Sequence, residues 1–143
     1  MSASTKLSAS VKALCYLAET YPVPQNSRII SEKIGVNASK LRQLLSLLNN
    51  GRIVKSEKGA AGGFRLTKSP KKIDLQEIYC AIEDRKAFDL HTNDSEKNLW
   101  RSAEINNFFL GLFAEIQVDI EKKMKKIKLS DLLQKVEIQS NYK

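Results

Sequence analysis

The sequence is poor in the residues that build metal centres, covalent staples and membrane spans. Its 143 positions hold two cysteines, one histidine, one tryptophan and three prolines. Cys15 and Cys80 stand too far apart in sequence to suggest a disulfide framework or a zinc ligand set. No apolar run approaches the ~18 residues that a membrane helix needs. Leu7–Ala18 is interrupted by Lys12 and by serines, and no small-residue cleavage site follows, so no signal peptide is expected. These absences disfavour secreted, membrane and zinc-finger classes and leave a cytoplasmic protein as the expectation. A nucleophile–base motif, a metal-ligand set and a cofactor fingerprint are missing too, so the expectation is no enzyme, no metal and no cofactor.

Positive charge is what the chain has in excess. The net value is +8, within a composition of 42% hydrophobic and 28% charged residues that suits a soluble globular protein. Between Arg28 and Lys72 there are seven Lys and four Arg against only Glu32 and Glu57. The remainder of the chain is close to neutral. A basic excess focused in one window points to an anionic partner, nucleic acid or a membrane surface.

The first half reads as three helices and a hairpin. Leu7, Val11, Leu14, Leu17 and Ala18 recur at helical spacing, and the pattern stops before Pro22 and Pro24. Ser27 is the expected cap of a short second helix carrying Ile29, Ile30 and Ile34, which Gly35 ends. Asn37 then caps a third helix, Ala38–Asn49. So short a turn between two helices makes a helix-turn-helix. Leu41, Leu44, Leu45 and Leu48 form the apolar stripe of the third helix. The other face holds Ser39, Gln43, Ser46 and Asn50, with Lys40 and Arg42 on its flanks. Gln pairs bidentately with adenine and Arg with guanine, and no acidic side chain on this face repels phosphates. An amphipathic surface helix would share the pattern; the short turn before it and the hairpin after it argue for a recognition helix.

Gly51 is the expected cap of this helix, and Ile53–Glu57 the first strand of a hairpin. The turn Lys58-Gly59-Ala60-Ala61-Gly62-Gly63 has no long side chain after Lys58, and Phe64-Arg65-Leu66 returns as a strand. Lys58 at the tip and Arg65 on the return would suit a minor groove, with Gly62 and Gly63 letting the backbone come close. A phosphate loop would end in Gly-Lys-Ser/Thr before a helix, and this loop runs into a strand.

The run from Leu41 to Ala81, with Gly51, Ser56-Glu57-Lys58-Gly59, Gly62-Gly63-Phe64-Arg65-Leu66, Pro70, Ile73, Leu75, Ile78 and Glu83, resembles the IscR/NsrR/CymR family of bacterial winged-helix regulators. Leu7–Ala18 fits the same pattern, so the resemblance covers roughly residues 5–84. It implies a homodimer on double-stranded operator DNA, with the third helix in the major groove and the wing in the minor groove. Ser39, Lys40, Arg42 and Gln43 then fall at base-reading positions, with Lys6 and Arg28 as phosphate contacts. Lys58 stands where the family usually has arginine, which keeps the charge and loses the planar fork.

The second half departs from the cluster-binding members. Their three-cysteine loop corresponds here to Asp84–Lys97, with His91 and no cysteine, and clusters are normally held by four ligands, mostly thiolates. The segment Phe88–Asn93 looks closer to the cluster-free YwnA-like branch. Both cysteines read as small buried hydrophobes; Cys15, beside Lys12 on one helix face, is the redox candidate. A long helical pattern runs from Ser95 to Lys126. Its Trp100, Phe108, Phe109, Leu112, Phe113, Ile116 and Ile120 are expected to form a dimer interface, a hairpin with Leu129–Val136 being the single-chain alternative. The fold expected is mainly α with a small β-wing. A winged helix-turn-helix domain covers 1–84, a linker or effector loop 85–97, and a dimerisation helix with a short C-terminal helix 98–143. The effector, a small molecule or a protein, stays open, and a protein-interaction module controlled by a metabolic enzyme is the alternative function.

Overall fold

The computed structural model describes residues 1–83, 90 and 98–142. His91 and most of the 85–97 loop lie outside the described residues. The chain divides into two compact units, one made of Met1–Asp84 with Met124–Lys143 and the other of Arg85–Lys123.

In the first unit, α1 (Ala3–Thr20) opens at Ser2, whose hydroxyl accepts from the Thr5 amide at 3.2 Å. Its Ala13, Leu14, Leu17 and Ala18 are buried, and the helix stops before Pro22 as its sequence dictates. The next helix, α2 (Ser27–Ile34), is capped one residue earlier than expected. Asn26, not Ser27, has the extended backbone a cap needs, and its side-chain oxygen accepts from the Ile29 amide at 2.9 Å. Gly35 closes α2 at φ 71°, a left-handed conformation that glycine adopts without a Cβ penalty. Asn37 caps α3 (Ala38–Asn50) as expected, accepting from the amides of both Ser39 and Lys40. Leu41, Leu44, Leu45 and Leu48 are all buried. Each such leucine is worth about 1.5–3 kcal/mol in removed apolar surface. The turn after α3 is not left-handed at Gly51, whose φ is −78°; Arg52 takes that conformation at φ 61°. Gly51 answers a packing demand instead, since a Cβ there would lie 2.9 Å from that of Ala81.

Strands β1 (Val54–Glu57) and β2 (Gly63–Leu66) pair antiparallel in the register Val54↔Leu66 to Glu57↔Gly63. A single-turn 3-10 helix at Pro70–Lys72 leads to α4 (Leu75–Ile82), capped by Asp74, whose carboxylate accepts from the Glu77 amide at 2.8 Å. The chain adds a further element to this unit, α6 (Leu129–Lys135). The Leu129 amide donates to the Ile73 carbonyl at 2.8 Å, and the Leu75 amide to the Ile127 carbonyl at 3.0 Å. Leu129 and Leu133 join the core of Leu14, Ile30, Leu45 and Ile78. The expected third segment, 98–143, therefore divides, because this backbone bridge and leucine pair commit Met124–Lys143 to the first unit.

The second unit holds most of α5 (Ser102–Lys125), 24 residues and about 36 Å long. The helix begins later than the pattern from Ser95 suggests. Asn98–Arg101 are turns, with Arg101 in the left-handed region at φ 51°. Among the described residues no helix is long and apolar enough to cross a membrane.

Candidate nucleic-acid interface

The N-terminal half of α3 presents Ser39, Lys40, Arg42 and Gln43 to solvent, all four exposed, while the leucines behind them are anchored in the core. Ser46, one turn on, is exposed on the same helix. The wing is tied to this helix and to the chain before it by contacts that no sequence pattern announces. The Asn49 side-chain oxygen accepts from the Ser56 amide at 3.3 Å, linking the end of α3 to β1. Gln25, between α1 and α2, exchanges two backbone hydrogen bonds with Phe64, at 3.0 and 2.8 Å. Its side chain in turn accepts from the Tyr16 hydroxyl at 3.2 Å. The helix-turn-helix and the wing are thus one hydrogen-bonded frame, with Asn49 and Gln25 as positioning residues that sequence reasoning missed. Backbone pairing at Gln25 leaves no side-chain signature by which it could have been found.

Gly62, at the end of the turn, and Gly63, the first residue of β2, serve that frame. A Cβ on Gly63 would sit 2.5 Å from the backbone carbonyl of Gln25, and one on Gly62 would sit 2.1 Å from the carbonyl oxygen of Glu57. The close approach that demands glycine is therefore made within the chain. Lys58 is exposed at the wing tip, as expected.

The basic candidates fall into two groups. Arg28, Lys40, Arg42 and Lys58 are exposed, and none has an acidic partner among the described residues. Arg65 and Lys6 are committed elsewhere. The Arg65 Nε lies 2.8 Å from a Glu57 carboxylate oxygen across the wing, and Lys6 Nζ lies 3.3 Å from Glu83. Each cation keeps further N–H donors free, so the neighbouring carboxylate offsets its charge without occupying all of its hydrogen-bonding capacity.

The cysteines separate rather than sharing a fate. Cys15 is buried in α1, and loss of solvation pushes its thiol up to about 11 from an ordinary 9.0. Neighbouring Lys12 does not overcome that, so Cys15 lacks the stabilised thiolate that redox sensing requires. Cys80, expected to be buried, is exposed near the end of α4 and accepts from the Gln76 side chain at 3.2 Å. Among the described residues no group of three or more His, Cys, Asp or Glu side chains is placed to hold a metal ion.

The interface candidates Phe108, Phe109 and Leu112 on α5, and Trp100 in the turn before it, are exposed, Trp100 at 82% and Phe108 at 67%. Phe113, Ile116 and Ile120 are half-buried. Phe108 meets Phe109 edge-on at 5.5 Å between centroids, and Phe109 meets Phe113 at 5.6 Å. Ile105, Leu110 and Val118 are exposed as well, so the apolar surface is wider than the stripe read from the sequence.

A family model described as Rrf2, iron-dependent transcriptional regulator, matches residues 3–135. The chain belongs to the Rrf2 family of transcriptional regulators. It is 32% identical over 116 residues to the HTH-type transcriptional regulator IscR of Aliivibrio salmonicida, covering 73% of this chain and 68% of that one. It is 37% identical over 67 residues to IscR of Klebsiella pneumoniae strain 342, covering 47% and 40%. The matched stretch spans between 40% and 68% of the length of the first curated relatives. Among solved structures the fold is shared with T. potens IscR, at a TM-score of 0.67 and 24% identity over 95% of this chain and 88% of that one. It is shared also with CymR, the global cysteine regulator of B. subtilis, at 0.65 and 24% over 91% and 94%. These likenesses bear out the expected family and the winged-helix class. The iron of the family's description does not fit the donors present here. Two cysteines, one a buried protonated thiol and the other exposed on a different helix, do not make a thiolate set, and His91 lies outside the described residues.

Proposed function

We propose that this chain is a sequence-specific DNA-binding repressor that engages a pseudo-palindromic operator as a homodimer. The observation that carries the reading is the exposed face of α3, where Ser39, Lys40, Arg42 and Gln43 stand together on a helix that holds no Asp or Glu and is anchored by four buried leucines. Ser39, Lys40, Arg42 and Gln43 would face base edges in the major groove, Arg42 and Gln43 with bidentate geometry. Lys58 would enter the minor groove, where a cation senses groove width more than sequence. Arg28 supplies a phosphate contact free of any carboxylate, and Lys6 and Arg65 do so with the donors that Glu83 and Glu57 leave free. The exposed aromatic surface of α5 supports a helix–helix dimer, since left bare it would be an aggregation liability. Two-fold pairing of the protein implies a two-fold operator. Such a role belongs in the cytoplasm, at the nucleoid.

Selection of bound duplexes from a random library, followed by sedimentation of the complex, tests this. An enriched inverted repeat bound by two chains is the expected result. No enrichment at any salt concentration would overturn the reading.

A further inference from the structure

A cavity of about 560 Å³ opens in the first unit between α1, α2 and the segment of α6 and beyond. Its volume lies within the range that small-molecule sites occupy. Val11, Ile34 and Leu132 give it an apolar floor, with the exposed Val136 at its edge. The charged groups facing it are Lys12 and, two turns on along the same face of α1, Glu19, with Lys33 on α2. Neither lysine has an acidic partner among the described residues, so the rim carries one cation in excess. Cys15 also lines the cavity, and its burial keeps it neutral, so it does not repel an anion.

We infer that this cavity is an effector site for a small amphipathic carboxylate, its apolar body lying on the floor and its carboxylate held between Lys12 and Lys33. An apolar body alone would leave the two unpaired cations without purpose, and a cationic ligand would meet them with repulsion. The position also suggests a consequence. Lys33 and Ile34 form the last turn of α2, separated from the cap of α3 by Gly35 and Val36 alone. A ligand that prefers one setting of that turn would shift the population of recognition-helix orientations by its differential affinity. This second step rests on the DNA-binding reading; the binding step does not.

The test uses the full chain and three probes with one alkyl chain: sodium decanoate, 1-decanol and decylammonium. Calorimetric titration and thermal unfolding should show decanoate binding and raising Tm, with the alcohol weaker and the ammonium weakest. In the Lys12→Glu/Lys33→Glu variant, decanoate should bind roughly tenfold more weakly and decylammonium more tightly. Both lysines are exposed, so circular dichroism should report an unchanged fold. Equal decanoate affinity in the variant, or no binding to the wild type, overturns the site. So does a wild-type chain that excludes decanoate but falls to a smaller oligomer on Val11→Arg, because the groove would then be filled by a second copy. Operator affinity is read separately: decanoate binding with no change on the selected repeat sinks the coupling alone. Failure to select any duplex sinks the DNA reading and leaves the calorimetry standing.

Discussion

Two residues one helical turn apart or less can carry opposite duties, as Cys15 and Lys12 do on α1. Because burial raises the Cys15 thiol to about 11 from 9.0, the unfolded chain ionises first as pH rises. The stabilising preference for the neutral thiol is thus fully present below pH 9 and is lost between about 9 and about 11. Urea midpoints measured across that window should fall more steeply for the wild type than for Cys15→Ala; parallel curves would show that the thiol is solvated. On α3 the residue-scale expectation concerns specificity. Arg42→Ala or Gln43→Ala should cost roughly 1–3 kcal/mol on the selected operator and much less on a scrambled duplex. Equal losses on both would make them phosphate contacts. These exposed positions were legible because Leu41, Leu44, Leu45 and Leu48 fix which side of α3 is inward. The pairing of Lys6 with Glu83, seventy-seven positions away, was not, since a count of charges carries no information on which ones meet.

Among the elements, the wing owes its position less to its own two strands than to what they lean on. A two-stranded hairpin is marginal alone, and here Gln25 and Asn49 fasten it to the helices. Gly63→Ala puts a methyl 2.5 Å from the Gln25 carbonyl, so the hairpin must shift. It should lower stability by about 1–3 kcal/mol and weaken operator binding together. Lys58→Ala, at an exposed tip, should weaken binding while leaving the unfolding midpoint in place. A Gly63→Ala protein as stable as the wild type would contradict the close approach. The turn itself was readable from Gly59-Ala60-Ala61-Gly62-Gly63, whose residue types suit little else. The extra bridge was not, because a backbone hydrogen bond is available to nearly any residue. The caps of α1 and α4 rest on ordinary local chemistry, whereas the start of α5 is hidden from the pattern, since apolar spacing continues through Leu99 and Trp100 where the chain turns.

For the whole molecule, the proposed dimer rests on the wide apolar surface of α5. Phe109→Glu introduces a charge beside Phe108 and Phe113, and sedimentation should find the dimer dissociation constant raised by tenfold or more, about 1.4 kcal/mol. Retention of the dimer at micromolar concentration would move the interface elsewhere. What the sequence concealed at this scale was the return of Met124–Lys143 to the first unit, because Leu129 and Leu133 would look the same against any apolar partner. That return has a consequence in time. A chain emerging from the ribosome releases its recognition helix and wing early, yet the core beneath them lacks Leu129 and Leu133 until the later segment is made. The aromatic helix is therefore synthesised before the unit that precedes it can close, and the joining of residues 73 and 129 is a late, long-range event. A nascent chain that stalls within α5 would hold an incomplete DNA-binding unit and a bare aromatic surface together. Completion of the DNA-binding unit would await those last twenty residues, and cover for the aromatic surface would await a second chain.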